Sequence, residues 1–248
     1  MSDWLNVGIS GYALWPKKET VINFEGYELI LKPATKDTEM SIHMDIEGKI
    51  SETEALTLIN RFLSILSWCS DQSMENLYGS SGCPVPIPIP KQSRAIGTGV
   101  SSIFAFPFYR SLEKDPKACL ALALYREAQS INSGPYEFLS YFKILNIFWK
   151  DKKVNGKNEI IEGLRETLPK IKDPLGIERL EKLNKQEEDV AEYLYKSVRC
   201  AIAHAYSDPI IDPNDLTALR ILSEDTLIIK AVAEYLIETK LNVSRSIY

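Results

Sequence analysis

Four prolines at alternating positions, Pro84, Pro86, Pro88 and Pro90, constrain the architecture of this chain more than any other stretch. Proline lacks the backbone donor and its ring clashes inside a helix, so the segment has to run extended and cannot be a central strand. Proline-rich ligands of SH3 domains look partly like this. The plainer expectation is an extended connector that packs the interleaved Val85, Ile87 and Ile89. Patterning before the run is strand-like and patterning after it is helical, which places a domain boundary here or shortly beyond. The expected division is a β-rich N-terminal domain with its proline-rich connector over 1–100 and a helical domain over 101–248. A chain of 248 residues is long enough for two domains of ordinary size.

The N-terminal part reads as a small antiparallel sheet with a covering helix. Glu25-Gly26 sits between β-favouring segments and suits a hairpin turn, since glycine tolerates positive φ. In Met40-Ser41-Ile42-His43-Met44-Asp45-Ile46 apolar and polar residues alternate, so Met40, Ile42, Met44 and Ile46 share one sheet face. His43 falls on the other face and is expected to meet solvent. Ser51 and Glu54 have the spacing of a capping box ahead of Leu56, Ile59, Leu63 and Leu66, which recur at helical intervals. Gly79-Ser80-Ser81-Gly82 reads as a loop.

Beyond the prolines, helices dominate. Asp115-Pro116 opens one with proline in its first turn, and Ala118, Leu120, Leu122, Leu124 and Tyr125 make it largely buried. Ser133-Gly134-Pro135 breaks it before a segment, 136–149, that is apolar nearly all round and belongs at a core or a subunit interface. The charged stretch 151–188 carries Ile160, Ile161 and Leu164 as an amphipathic helix, closed by Lys170-Ile171-Lys172-Asp173-Pro174. Its lysines interleave with glutamates and read as a solvated face. Two further helices, about 187–205 and 224–241, end the chain. Asp208, Asp212 and Asp215 read as turn and cap residues around Pro209 and Pro213, because a calcium loop would need a glycine and a terminal glutamate.

Composition narrows the partners. A net charge of −5 and a pI near 5.3 argue against a general nucleic-acid binder, though not against a local basic groove. No run reaches the ~18–20 apolar residues of a membrane span, and Met1-Ser2-Asp3-Trp4 has no signal-peptide character, so no membrane partner and a cytoplasmic location are expected. Cys69, Cys83, Cys119 and Cys200 are scattered, which suits reduced core thiols rather than disulfides or a zinc site.

One constellation carries chemistry. On a regular helix Val190, Leu194, Val198, Ala201 and Ala205 fall within about 80° and form a buried stripe, with Arg199 about 140° from its centre on the side of Glu192 and Lys196. Arg199 and His204 also differ by about 140° and roughly 7.5 Å of rise, so they cooperate only if the helix ends near His204 or a second subunit supplies one of them. Ser207-Asp208-Pro209 favours such an end.

The stretch Leu194-Tyr195-Lys196-Ser197-Val198-Arg199-Cys200-Ala201-Ile202-Ala203-His204-Ala205 resembles the R-x4–6-H motif of the HEPN superfamily, and more narrowly the methylamine utilisation protein MauJ, or Apea-like, type. The likeness spans about 115–241. It implies an all-α HEPN-like bundle that forms a homodimer, giving an α+β protein as a whole. It also implies metal-independent endoribonuclease chemistry on RNA, or RNA or nucleotide binding, with no cofactor. His204 would exchange the proton and Arg199 would clamp the phosphate, with Lys196 and Tyr206 contacting substrate. Cys200 departs from the RNase pattern, which places Asn, Asp or His after the arginine; a thiol is a poor donor. The other reading makes the motif structural. Arg199 then pairs with Glu192 or an acid on a neighbouring helix, His204 caps a helix end, and the protein is a non-catalytic dimeric interaction or accessory protein whose N-terminal domain binds a protein partner in a defence setting.

Overall fold

The computed structural model describes residues 3–11, 14–91, 102–103, 115–154, 156–203 and 214–245. The chain divides into two compact units, Met1–Asp115 with Arg245–Tyr248, and Pro116–Ser244. An antiparallel sheet with a helix comes first and a helical region follows, so the fold class is α+β.

In the first unit, strands β1 (Trp4–Gly11), β2 (Trp15–Pro16), β3 (Thr20–Phe24), β4 (Tyr27–Lys32) and β5 (Met40–Asp45) precede helix α1 (Glu52–Ser70) and strands β6 (Met74–Cys83) and β7 (Ser102–Ile103). The main sheet has the order β3-β4-β5-β1-β6, while β2 and β7 form a short parallel pair. Glu25 and Gly26, at φ 50° and 88°, turn the β3–β4 hairpin between paired Phe24 and Tyr27. Positive φ at both turn residues gives the twist that suits the flanking strands.

Cross-strand pairs put Val7, Leu31 and Ile42 on one face, with Leu5, Ile9, Leu29, Met40 and Met44 beside them, all buried. Helix α1 covers this face: its Phe62 meets Phe24 edge to face at 5.5 Å, and Ala55, Leu58, Ile59, Leu63 and Leu66 are buried with it. Each large apolar side chain so buried contributes about 1.5–3 kcal/mol. The capping box is complete. Ser51 accepts from the Glu54 amide, and the Glu54 carboxylate accepts from the Ser51 amide.

The opposite face departs from expectation. His43 is 0% exposed, not a surface residue, and lies beside buried Asn6 and Ser41. The proline segment covers it. The Ile87 amide donates to Asn6 Oδ1 at 2.9 Å, and the Glu39 amide to the Ile89 carbonyl at 2.8 Å. Alternation located the face of His43 correctly but says nothing about what packs on that face. Of the apolar residues between the prolines only Ile89 is buried, whereas Val85 and Ile87 are 57% and 43% exposed. The expected loop Gly79-Ser80-Ser81-Gly82 is also corrected: it lies within β6, where Val7 pairs with Gly79 and Asn6 with Ser80. A Cβ at Gly79 would sit 3.2 Å from the Asn6 carbonyl, so this edge strand uses glycine for close approach.

The second unit contains α2 (Pro116–Ser130), α3 (Gly134–Leu145), the small hairpin β8 (Lys153–Val154) and β9 (Lys157–Asn158), α4 (Glu159–Thr167), α5 (Pro174–Leu183), α6 (Val190–Tyr193), a π-helical segment (Leu194–Arg199), α7 (Cys200–Ala203) and α8 (Leu216–Lys240). Helix α3 packs against both α2 and α8 and buries Phe138, Tyr141, Phe142, Ile144 and Leu145 within the unit. On α2, Leu120 is 52% exposed, so that helix is amphipathic rather than largely buried. Helix α5 was not expected as a separate element. Asp173 caps it by accepting from the Gly176 amide, with proline in the first turn; the same Asp-Pro pair, Asp115-Pro116, stands in the sequence at the start of α2. Helix α8 starts two turns before the expected 224, capped by Asp215. Asp208 and Asp212 lie outside the described residues. Among the described residues no helix is long and apolar enough to cross a membrane.

Burial first, and then the charge of Lys32, hold the His43 pKa down at about 4 against 6.5 for the free side chain. Folding therefore favours the neutral ring, and this contribution is complete above pH 6.5 and lost as pH falls towards 4. The loss amounts to on the order of 3 kcal/mol. Urea unfolding of the N-terminal unit, followed by tryptophan fluorescence at pH 7 and pH 4, should show wild type losing about that much more stability than His43→Gln.

Candidate functional site

The helix that carries the motif begins where the Asp189 carboxylate accepts from the Glu192 amide. Arg165 of α4 holds that same carboxylate, donating from Nε at 3.0 Å, and also pairs with Glu162 and Glu192. The expected stripe is realised over its described members, Val190, Leu194, Val198 and Ala201, which are all buried, while Ala205 lies outside the described residues. The helix is not regular, however. Over Leu194–Arg199 it widens to π geometry, and the Cys200 amide reaches back to the Tyr195 carbonyl. Such bulges are frequent at functional positions.

Just before the bulge, Tyr193 donates to Asp225 Oδ2 at 2.8 Å. Asp225, on α8, is 1% exposed. Its Oδ1 accepts from Arg179 of α5, at 2.9 Å from Nε and 2.8 Å from Nη2, and Arg179 also reaches Glu224 at 2.7 Å. Burial pushes the Asp225 carboxyl up, only partly offset by these hydrogen bonds. Burial and the adjacent Asp225 charge likewise push the Tyr193 phenol up. This cluster ties α5, α6 and α8 together through one carboxylate.

Arg199 lies at the far end of the bulge. Its guanidinium stands 5.6 Å from the Tyr195 ring centroid and reaches Asp151 at 3.3 Å, with the side chain 22% exposed. Tyr195 donates its hydroxyl to Asp151 as well, and Asn158 donates to the same carboxylate at 3.2 Å. Asn158 in turn caps α4 through the Ile160 and Ile161 amides. Burial alone would raise the Asp151 carboxyl, but Tyr195, Asn158 and Arg199 outweigh it and leave its pKa below the ordinary value. The Tyr195 phenol, desolvated and bonded to Asp151, is pushed up to about 12 and stays protonated. Arg199 is thus held by an acid from the loop after α3, and the Glu192 expected as its partner pairs with Lys196 and Arg165.

Among the expected site residues, Arg199 and Lys196 sit one turn apart, with Lys196 61% exposed and engaged by Glu192. His204 and Tyr206 lie outside the described residues. Tyr195, Asp151 and Asn158 were not anticipated. The i, i+4 spacing of Tyr195 and Arg199 was a usable signal, but nothing local points to Asp151, far away in sequence. Among the described residues no group of three or more His, Cys, Asp or Glu side chains could hold a metal ion.

Residues 121–238 match the family model described as methylamine utilization protein MauJ. The match covers just under half of the chain, from α2 to near the end of α8, and includes the stretch from Leu194 to Ala205. No curated protein and no solved structure matches the chain.

Removing a partner from a buried ion pair leaves an uncompensated charge and costs about 3–5 kcal/mol. Asp225→Ala leaves Arg179 with only the exposed Glu224 and the Tyr193 hydroxyl without this acceptor, so it should lower the unfolding free energy of the helical unit by somewhat less, about 2–3 kcal/mol, in urea titrations. Asp151→Ala, whose pair is partly exposed, should cost about 1 kcal/mol or less.

Proposed function

We propose that the helical unit is a HEPN-type module acting as a non-catalytic interaction or accessory protein, in which Arg199 serves its own fold. The observation that carries this reading is the seat of Arg199, held by Asp151 and stacked on Tyr195. A phosphate drawn to this guanidinium would meet the Asp151 carboxylate. Two like charges about 4 Å apart repel by roughly 4 kcal/mol at an effective dielectric constant near 20. The neighbouring cations are no freer, since Lys196 is taken by Glu192, and Arg165 by Asp189, Glu162 and Glu192. Exposed Leu120 and Tyr136, on α2 and α3, supply apolar surface for a second copy of the chain. The N-terminal unit is then free to take a protein partner.

The competing reading, metal-independent cleavage of RNA, rests on the Arg199-x4-His204 spacing inside the region that matches the MauJ model. It assigns His204 to proton transfer and needs Arg199 to leave Asp151 for the phosphate, with Lys196 and Tyr206 on the substrate.

Labelled RNA incubated in EDTA with wild type, Arg199→Ala and His204→Ala separates the two. The structural reading expects no cleavage by any of them and a melting temperature about 2–4 °C lower for Arg199→Ala, matching a loss of about 1 kcal/mol. Cleavage by wild type that disappears in both variants would establish the RNase reading instead.

A further inference from the structure

Where β4 ends and the proline segment returns across the sheet, the first unit carries a cavity of about 280 Å³ whose walls include Glu19, Lys32, Pro33, Thr38 and Pro88. That volume lies near the small end of the ~300–1,000 Å³ that ligand pockets occupy. The walls are anchored from outside. The indole of buried Trp15 donates to the Lys32 carbonyl at 2.8 Å and holds the end of β4. Pro88 stands between two tethered residues, since the Ile87 amide donates to Asn6 Oδ1 and the Ile89 carbonyl accepts from the Glu39 amide. The mouth is open to solvent, because the Glu19 side chain is 59% exposed.

The charge in the cavity wall comes as one opposed pair. Glu19 and Lys32 lie one step beyond the last cross-strand pair of the β3–β4 hairpin, Thr20 with Leu31, and so face each other with Lys32 Nζ 3.5 Å from Glu19 Oε2. Among the described residues neither has a second ion-pair partner. A hydroxyl donor stands in the same wall. Thr35 Oγ1 accepts from the Asp37 and Thr38 amides, at 3.2 and 3.1 Å, which uses both of its lone pairs. Its own hydrogen therefore goes to Thr38 Oγ1, 2.7 Å away, and the Thr38 hydrogen is left without an acceptor among the described residues.

We propose that this cavity binds a small zwitterion, an α-amino acid with an apolar side chain. A simple anion drawn to Lys32 meets the Glu19 charge beside it, and a simple cation drawn to Glu19 meets Lys32, so the pair attracts neither strongly. A zwitterion escapes both repulsions. An α-amino acid carries its ammonium nitrogen and carboxylate oxygen roughly 3 Å apart, by standard bond lengths, which matches the spacing of the pair. Its carboxylate takes the Lys32 ammonium and the Thr38 hydroxyl, and its ammonium takes the Glu19 carboxylate. Four charges then alternate around a ring in which every neighbour attracts, and the Lys32–Glu19 contact is kept. Pro33 and Pro88 supply rigid apolar walls for the side chain, so burial rather than charge ranks one amino acid against another.

The test is calorimetric titration of the full chain at pH 7 with three probes of one side-chain shape: L-leucine, isocaproate, which lacks the ammonium, and isoamylamine, which lacks the carboxylate. L-Leucine should saturate one site per chain with a Kd below about 1 mM, and each analogue should bind wild type at least about tenfold more weakly. Glu19→Gln and Lys32→Met should each weaken leucine at least about tenfold. They should also reverse the ranking in opposite senses, Glu19→Gln coming to prefer isocaproate over isoamylamine and Lys32→Met the converse. A merely structural ion pair would give no such reversal. Absence of saturable leucine binding up to about 10 mM, an analogue that binds wild type as tightly as leucine, or variants that rank the probes as wild type does would each overturn the proposal. The wild-type series is decisive even if a variant folds poorly.

Discussion

The helical unit depends on one buried carboxylate. Asp225 projects from the longest helix into a site closed to water, where it gathers Arg179 from α5 and Tyr193 from α6. Taking such a charge out of water costs several kcal/mol, and the pair recovers this only because guanidinium and phenol both donate to it with good geometry. An apolar cluster could have filled the same space at least as favourably. The ionic version fixes direction, since three helices must present the right atoms to two oxygens, and a shift of one helix by a turn would leave a charge unpaired.

The location of Tyr193 gives that anchor its functional meaning. It is the last residue before the π-helical segment, so the bulge starts from a fixed point and ends at Arg199. At that end Asp151 receives Arg199, Tyr195 and Asn158 together, and Asn158 also starts α4. Arg199 therefore joins the motif helix to the loop and helix before it. The close approach of Gly163 to Trp149, where a Cβ would lie 2.2 Å from the indole, fixes α4 from its other side. A guanidinium built this far into its surroundings has the environment of a structural pin.

What the sequence made legible was local. The Glu25-Gly26 turn, the Ser51–Glu54 box, the Asp–Pro opening of α2 and the Val190–Ala201 stripe each depend on residues within a few positions, and all are present. What it hid depends on distant residues or on a neighbour's coverage. Alternation assigns His43 to a face, but only the returning proline segment makes that face an interior. Gly79 to Gly82 carry turn chemistry yet lie in a strand, because pairing with β1 overrides the local preference. The arginine of the motif was visible at once, whereas its partner Asp151 comes from another loop. The π segment was invisible for a different reason: Val190, Leu194, Val198 and Ala201 stay buried either way, so the apolar pattern does not distinguish it from a regular helix.

The most direct test of the central claim is hydrogen–deuterium exchange on Tyr193→Phe, which removes the hydroxyl between Asp225 and the motif helix and leaves Arg179 paired. If the buried carboxylate positions the bulge, amides across 194–203 should exchange at least about tenfold faster than in wild type, while those of 116–145 stay unchanged. Unaltered protection across 194–203 would contradict the account and show that apolar packing alone holds that helix.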